Sequence, residues 1–159
     1  MKKYEFTGET EQHGSITLRR IRATIFFGVV EVGDLGGWIE KEENLSQEGD
    51  AWICGDAKVY GNAKVYGDAE VYGNAKVCGD AKILQTNHLL VIGPVGSRDS
   101  LTTFFRDKDN EIAVKCGCFY GKIDRFLEKV QETHGDNRYA LVYRAAAEAA
   151  KLQIDLTGS

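Results

Sequence analysis

Polar side chains that could bind an anion cluster in the C-terminal half of the sequence. The stretch Gly93-Pro94-Val95-Gly96-Ser97-Arg98 is rich in turn-forming residues, and two threonines follow it closely. Backbone amides, hydroxyl groups and a guanidinium group can converge on a phosphate in such a loop. A lysine and a histidine further along the chain would suit the same ligand. We therefore predict an anion-binding site formed by Ser97, Arg98, Thr102, Thr103, Lys115 and His134.

This loop does not match the phosphate-binding P-loop motif. It lacks the GxxxxGK[ST] spacing, and no helix is expected directly behind it. An ordinary surface loop, in which Arg98 pairs with a nearby carboxylate, stays open as the alternative.

The four cysteines are expected to be reduced thiols. Cys54 and Cys78 occupy equivalent positions of a repeat, and Cys116 and Cys118 form a Cys-Gly-Cys pair. These spacings fit neither a disulfide framework nor a tetrahedral zinc site. We predict no metal site and no cofactor.

A nucleophilic arrangement of Cys116, His134 and Asp136 is conceivable from the residue types alone. No neighbour in the sequence would activate the thiol, and nothing in the sequence indicates that the three residues lie close together in the fold. We therefore predict no catalytic residue.

Composition and charge exclude several classes of protein. The chain has 159 residues, with 20 basic and 24 acidic side chains and a formal net charge of -4. Bulk binding to nucleic acid is not expected, because it requires clustered positive charge. The apolar runs are far shorter than the roughly 20 residues of a membrane span, and no apolar stretch follows the Met-Lys-Lys start to form a secretion signal. These features predict a cytoplasmic protein that does not bind membranes.

A six-residue repeat fills residues 51 to 83. Its first position is always aliphatic, its fifth is alanine, and its third and fourth are Gly-Asp or Gly-Asn. A period of six fits neither a flat strand nor a helix, and the Gly-Asp and Gly-Asn pairs favour turns. We expect the chain to bend at every hexad and to stack residue i on residue i+18, in a parallel β-helix of about three coils.

The segments on either side of the repeat have different patterns. Alternating apolar and polar residues near the N-terminus predict a small antiparallel β unit. After the repeat, HLLVIG predicts a buried strand, LTTFFRD and EIAVKCG a hairpin, and Lys122 to His134 a helix. Asp136 or Asn137 is expected to cap a second helix. The predicted domains are an N-terminal β unit (1–32), the repeat (33–86) and a C-terminal α+β domain (87–159), in a protein that is mainly β.

The hexads resemble those of hexapeptide-repeat proteins, in which a small residue lies four positions after an aliphatic one. This resemblance implies that the predicted β-helix is left-handed. The segments GDLGGWIE and YEFTGET, and the C-terminal phrases GSRDSLTTFF and KCGCFYGKIDRFLEKVQETHG, resemble small proteins of bacteria, phages and prophages. The resemblance thus implies a phage or prophage origin.

Acyl transfer is the best-known activity that the resemblance implies. It requires a histidine placed as a general base, whereas His13, His88 and His134 all lie outside the hexads. We therefore keep an acyl- or acetyltransferase as an alternative only.

Outward tyrosines of the repeat predict contact between subunits. Tyr60, Tyr66 and Tyr72 would bury a large area and keep a hydroxyl group available, and the family resemblance implies a homotrimer. We expect a non-enzymatic binding protein of phage type, in which the repeat assembles copies of the C-terminal domain. That domain, or a seam between subunits, would bind an anionic small molecule or a host protein and so counter a host defence. A purely structural assembly protein is the second alternative.

Overall fold

Antiparallel strands at the N-terminus lead directly into the repeat. The computed structural model describes residues 2–157. Strands β1 (Tyr4–His13) and β2 (Ile16–Ala23) form a hairpin, and β3 (Leu35–Ile39) pairs antiparallel with β2. Strand β3 also pairs in parallel with a strand of the repeat. It therefore joins the hairpin and the repeat into one sheet.

The repeat folds into six strands of two residues each. They are β4 (Trp52–Ile53), β5 (Lys58–Val59), β6 (Lys64–Val65), β7 (Glu70–Val71), β8 (Lys76–Val77) and β9 (Lys82–Ile83). The glycine between successive strands has a left-handed backbone, with φ of 68° at Gly61 and 63° at Gly73, which a residue with a Cβ rarely adopts. The chain therefore turns after each strand, and the aliphatic and alanine positions of every hexad are buried.

The repeat strands pair in parallel at a spacing of 18 residues. The pairs are Trp52 with Glu70, Lys58 with Lys76, and Lys64 with Lys82. The predicted stacking of residue i on residue i+18 is confirmed for these three strand pairs.

The predicted left-handed parallel β-helix of about three coils is wrong. The parallel strands are divided between a five-stranded mixed sheet, in the order β1-β2-β3-β5-β8, and two sheets of only two strands, β4-β7 and β6-β9. Ile39 pairs with Val59 and Leu45 makes an isolated bridge to Val65, both at a spacing of 20 residues. Because Leu45 and Ile53 are eight residues apart, the hexad spacing is interrupted between them, and this segment adds no regular coil. The chain is mainly β, with small mixed and antiparallel sheets and two C-terminal helices.

The C-terminal part contains an antiparallel sheet and two helices. Its elements are β10 (Leu89–Val95), β11 (Ser100–Arg106), β12 (Ile112–Cys116), β13 (Phe119–Lys122), α1 (Ile123–His134) and α2 (Arg138–Gln153). The predicted hairpin and helices are confirmed, and the strand predicted from HLLVIG forms as β10, although it is mostly half-buried and not buried. Asn137 caps α2 by accepting a hydrogen bond from the Ala140 amide at 3.1 Å. Within residues 2–157, neither helix combines the length and the apolar composition needed to cross a membrane.

This sheet separates two hydrophobic cores. Phe105 and Ala113 pack into the core that contains the repeat valines. Phe104 and Val114 pack on the other side, against α1 and α2. Neighbouring residues of a strand point to opposite faces, so one sheet serves both cores. The first core contains residues from all three predicted domains, and the boundaries at residues 32 and 86 remain predictions.

Two short turns with the same hydrogen-bond pattern lie before and after the regular hexads. Residues Glu42–Asn44 and Thr86–His88 each form a single 3-10 turn. In both, the last side chain is fully buried and accepts hydrogen bonds from the backbone amides three and four positions earlier. The distances are 2.9 and 3.1 Å to Oδ1 of Asn44, and 3.1 and 3.2 Å to Nδ1 of His88. Since Nδ1 accepts, neutral His88 carries its proton on Nε2.

We predict that His88 makes the free energy of unfolding depend on pH, and that His88→Asn removes this dependence. Burial, and then the guanidinium of Arg106, lowers the pKa of His88 from its usual 6.5, although Asp155 opposes this shift. As the pH drops, the unfolded chain therefore binds the proton first. The stabilisation is complete above pH 6.5 and is lost as the pH falls toward the folded-state pKa. Asparagine keeps an accepting atom, as Asn44 does, but it does not titrate.

Urea unfolding of both proteins at about pH 7.5 and about pH 5 measures this effect. Carboxylates away from His88 contribute equally to the two proteins, and Asp155, whose pKa is lowered from 3.8, stays ionised over this interval, so the comparison isolates the titration of His88. A wild-type protein that loses no more stability than His88→Asn over this interval would contradict the prediction.

Candidate anion-binding site

A cavity of about 280 Å³ opens between α1, the turn joining β12 to β13, and the loop before β11. Arg98 of the loop and Lys129 and His134 of α1 line it. Among the described residues that line it, none is an aspartate or a glutamate. Within residues 2–157, Arg98 and Lys129 form no ion pair. The cavity therefore offers positive charge that no carboxylate of residues 2–157 pairs with, and the alternative pairing of Arg98 with a carboxylate is not seen in this part of the chain.

The floor of this cavity is aromatic. The ring centroid of Phe126 lies 5.7 Å from that of Phe119 and 5.6 Å from that of Tyr143. The imidazole of His134 stacks on Tyr143, with 6.0 Å between the centroids and 23° between the planes. An apolar floor beneath a few polar groups is typical of small-molecule sites. Together with the basic side chains, it suits an anion that also carries an apolar body.

The thiol of Cys116 and the hydroxyl of Tyr143 line the cavity, and the buried hydroxyl of Thr102 lies behind them. The Thr102 hydroxyl donates to Cys116 Sγ at 3.2 Å, and Sγ lies 4.0 Å from the Tyr143 hydroxyl oxygen. Burial, and then Cys116, raises the pKa of Tyr143 to about 12. The tyrosine hydroxyl therefore keeps its proton at neutral pH and can donate it in a hydrogen bond.

A glycine allows the loop to approach this wall. Gly96 has a φ of 81°, and a Cβ there would lie 1.9 Å from the Tyr143 hydroxyl oxygen. Only glycine fits both the backbone conformation and this close contact. The contact places Ser97 and Arg98 at the mouth of the cavity.

Three of the six predicted binding residues meet in this cavity. Ser97, Arg98 and His134 line it. Thr102 is fully buried, and its hydroxyl is bonded to Cys116. It therefore supports the wall instead of facing the ligand space.

The other two predicted residues lie on the opposite face of the sheet. Thr103 and Lys115 line a second cavity of about 260 Å³. The register explains the separation, because Thr102 pairs with Cys116 and Thr103 with Lys115. Side chains alternate between the two faces of a sheet, so adjacent threonines cannot both reach one ligand.

Sequence reasoning missed Lys129 and Thr133, which also line the first cavity. Residues three and four apart lie on the same side of a helix. Val130, four residues before His134, is buried in the helical core. Lys129 and Thr133 are four residues apart, as are Val130 and His134, so helical spacing could have indicated that each pair shares one side of α1.

The sequence predicts no nucleophilic arrangement of Cys116, His134 and Asp136. In the structure, Asp136 and His134 contact other residues. Asp136 accepts a hydrogen bond from Arg144 at 3.2 Å, whereas His134 packs against the rings of Tyr139 and Tyr143. The carboxylate therefore orients Arg144 at the junction of α1 and α2. In the part of the chain that the structure describes, no three His, Cys, Asp or Glu side chains are placed to hold a metal ion.

The tyrosines predicted at an oligomer interface are half-buried within the single chain. Tyr60 packs against His13 of the N-terminal hairpin, with 5.0 Å between the ring centroids. Tyr72 packs against the repeat core, and Tyr66 lines a separate open cavity. The interface remains a prediction, and the hairpin already covers part of Tyr60.

No protein-family model and no curated protein sequence matches this chain. The resemblance to hexapeptide-repeat proteins therefore remains an interpretation of the sequence.

Proposed function

We propose that this chain is a non-enzymatic binding protein that holds a small anionic ligand between α1 and the C-terminal sheet. The observation that supports this best is the cavity that Arg98, Lys129 and His134 line without a carboxylate among the described lining residues. Arginine and lysine form charge-assisted hydrogen bonds with phosphate and carboxylate groups. A ligand with negative charge would be stabilised there.

The ligand proposed has an aromatic or apolar body as well as an anionic group. Phe119, Phe126 and Val130 provide an apolar surface, and the basic side chains provide the charge. An aryl phosphate is the simplest compound with both properties, and phenyl phosphate is therefore a suitable probe.

We further propose that the protein forms an oligomer, expected to be a trimer, in the cytoplasm of a phage-infected cell. The hexad resemblance supports the oligomer, and four free thiols suit a reducing compartment. Several copies of a weak site would raise the overall avidity for a multivalent host target without new contacts. Interference with a host defence is the biological role that we propose.

We predict that Arg98→Met and Lys129→Met each weaken the binding of phenyl phosphate by about ten- to a hundredfold. Each variant removes a charged donor and keeps most of the apolar stem of the side chain. Isothermal titration calorimetry at low ionic strength measures the effect, because salt screens such interactions.

Arg125→Met is the matched control for these variants. Arg125 is also on α1, but it forms ion pairs with Glu128 at 3.1 Å and Glu132 at 3.4 Å and does not line the cavity. It should bind phenyl phosphate like the wild type. Equal losses in Arg125→Met and Arg98→Met, or unchanged binding in both cavity variants, would contradict the proposal. Binding of coenzyme A that depends on the repeat would instead favour acyl transfer.

A further inference from the structure

The second cavity lies where the repeat meets the C-terminal sheet. Lys76 of β8 lines it from the repeat, and Ser100, Thr103 and Lys115 line it from the sheet. The Thr103 hydroxyl oxygen accepts a hydrogen bond from the backbone amide of Lys76 at 3.1 Å. This bond fixes β8 against the sheet, so the cavity is a feature of the packed fold. None of the described residues that line it is acidic.

Positive charge gathers around this cavity from three elements. Lys58 and Lys76 are paired residues on β5 and β8. Burial is the main cause that lowers the pKa of Lys76, and Lys115 and then Lys58 add to it. The same three lysines, after burial, lower the pKa of His13 in the N-terminal hairpin. Like charges at this range repel one another, so an anion placed among them would be stabilised.

The carboxylate of Glu11 partly offsets this positive charge. Glu11 lies 3.2 Å from Lys58 Nζ and raises the pKa of both His13 and Lys76. It forms its ion pair with Lys58 and does not line the cavity. The Lys115 ammonium donates to the carbonyl of Gly117 at 2.7 Å, which holds it beside the cavity. Lys76 and Lys115 therefore retain donors for a ligand.

An equivalent pair of lysines elsewhere in the repeat provides a comparison. Lys64 and Lys82 occupy the same hexad position and pair on β6 and β9. The cavity that they line also contains Glu43. The two lysine pairs occupy equivalent hexad positions, but Glu43 lines the cavity of the Lys64 pair, whereas Glu11 pairs with Lys58 and does not line the second cavity. The C-terminal sheet also adds Lys115 to the second cavity, beside Lys76.

We infer that the second cavity binds a phosphate or sulfate group between Lys76 and Lys115, with the Ser100 hydroxyl as a further donor. Both ammonium groups would form charge-assisted hydrogen bonds to its oxygens. This site is distinct from the aromatic cavity on the other face of the sheet and does not rest on the function proposed for it. Among the described lining residues, the two cavities share only Ser100 and Gly117, which lie at adjacent ends of β11 and β12.

Sulfate is the probe for this site, and the imidazole of His13 is the reporter. In a pH titration followed by NMR, sulfate should raise the titration midpoint of His13, because the anion offsets the charge of Lys58, Lys76 and Lys115. Chloride at equal ionic strength corrects for general screening. The dependence of this shift on sulfate concentration gives the affinity.

Lys76→Met and Lys115→Met should each weaken sulfate binding by about tenfold or more. Lys64→Met, the matched control, and Arg98→Met, which alters only the first cavity, should keep the wild-type response. The inference would be overturned if sulfate left His13 unchanged, if Lys64→Met lost as much affinity as Lys76→Met, or if Arg98→Met abolished the response. Lys115→Met keeps the test valid should Lys76→Met fold poorly, because Lys115 lies on β12 of the C-terminal sheet and not in the repeat.

Discussion

Replacing Asn44 with alanine is expected to lower the free energy of unfolding by about 3 to 5 kcal/mol. Its buried amide group makes four hydrogen bonds to the backbone. Oδ1 accepts from two amides of its own turn at 2.9 and 3.1 Å. Nδ2 donates to the carbonyls of Gly61 and Ala63 at 3.2 and 2.9 Å. Alanine would remove this partner from the Lys41 amide and from the carbonyls of Gly61 and Ala63, whereas the Glu40 amide keeps the Val59 carbonyl at 3.2 Å. Each unsatisfied buried group costs about 1 to 3 kcal/mol.

The control for Asn44→Ala is Asn62→Ala. Asn62 is exposed, and its side-chain hydrogen bonds to Lys41 and Asp80 are both 3.5 Å long. Its loss should change the free energy of unfolding by less than about 0.5 kcal/mol. Urea unfolding followed by tryptophan fluorescence measures both variants, since Trp52 is buried in the repeat core. Similar values for the two variants would show that the turn does not depend on the Asn44 amide.

Phe104→Ala is the second substitution with a large expected effect, about 3 to 5 kcal/mol. The Phe104 ring is fully buried and meets Phe126 edge to face, with 5.8 Å between the centroids. Phe126 in turn contacts Phe119 and Tyr143. Truncation would therefore leave a void between the sheet and both helices and would loosen the floor of the first cavity. Binding of phenyl phosphate should weaken along with stability.

The position of Phe104 predicts which part of the protein is destabilised by Phe104→Ala. It packs on the helical side of the sheet, whereas the repeat valines pack on the other side. Hydrogen exchange should therefore show a larger loss of protection in α1 and α2 than in the repeat strands. Phe26→Ala, at a phenylalanine that is 68% exposed, should change the free energy of unfolding by less than about 0.5 kcal/mol. Equal loss of protection in both cores would contradict the separation that the sheet provides.

The parts of the fold that could be predicted are those set by local chemistry. Glycine recurs in each hexad before aspartate or asparagine, so the bend after every strand and the 18-residue pairing follow from the sequence. The helices follow from apolar spacing and from the cap at Asn137. Each signal lies within a few residues of the element that it predicts.

The number of coils could not be predicted, because it depends on contacts between distant segments. Strand β3 satisfies its hydrogen bonds with β2 on one side and β5 on the other. Nothing in the hexads fixes that choice. The equivalent roles of Asn44 and His88 in the two turns could not be predicted from the sequence either. An amide and an imidazole share only the accepting atom that the turns require.

The candidate site was predicted only in part, because it too depends on contacts between distant segments. Ser97, Arg98 and His134, which were grouped by residue type, line one cavity, and the loop approaches the helices where Gly96 contacts Tyr143. Strand alternation would have placed Thr103 on the other face. The approach of Lys76 to Lys115 joins the repeat to the C-terminal sheet, and no local pattern encodes that distance.

The binding of an amphiphilic anion in the first cavity can be tested by a ¹H–¹⁵N NMR titration with phenyl phosphate. The aromatic ring of the probe shifts the signals of nearby amides, so the response locates the site. We expect the shifts to concentrate in residues 96–100, 116–118 and 129–134, and to be absent with benzyl alcohol at the same concentration. Shifts that are spread over the repeat, or no shifts at saturating phenyl phosphate, would contradict the account.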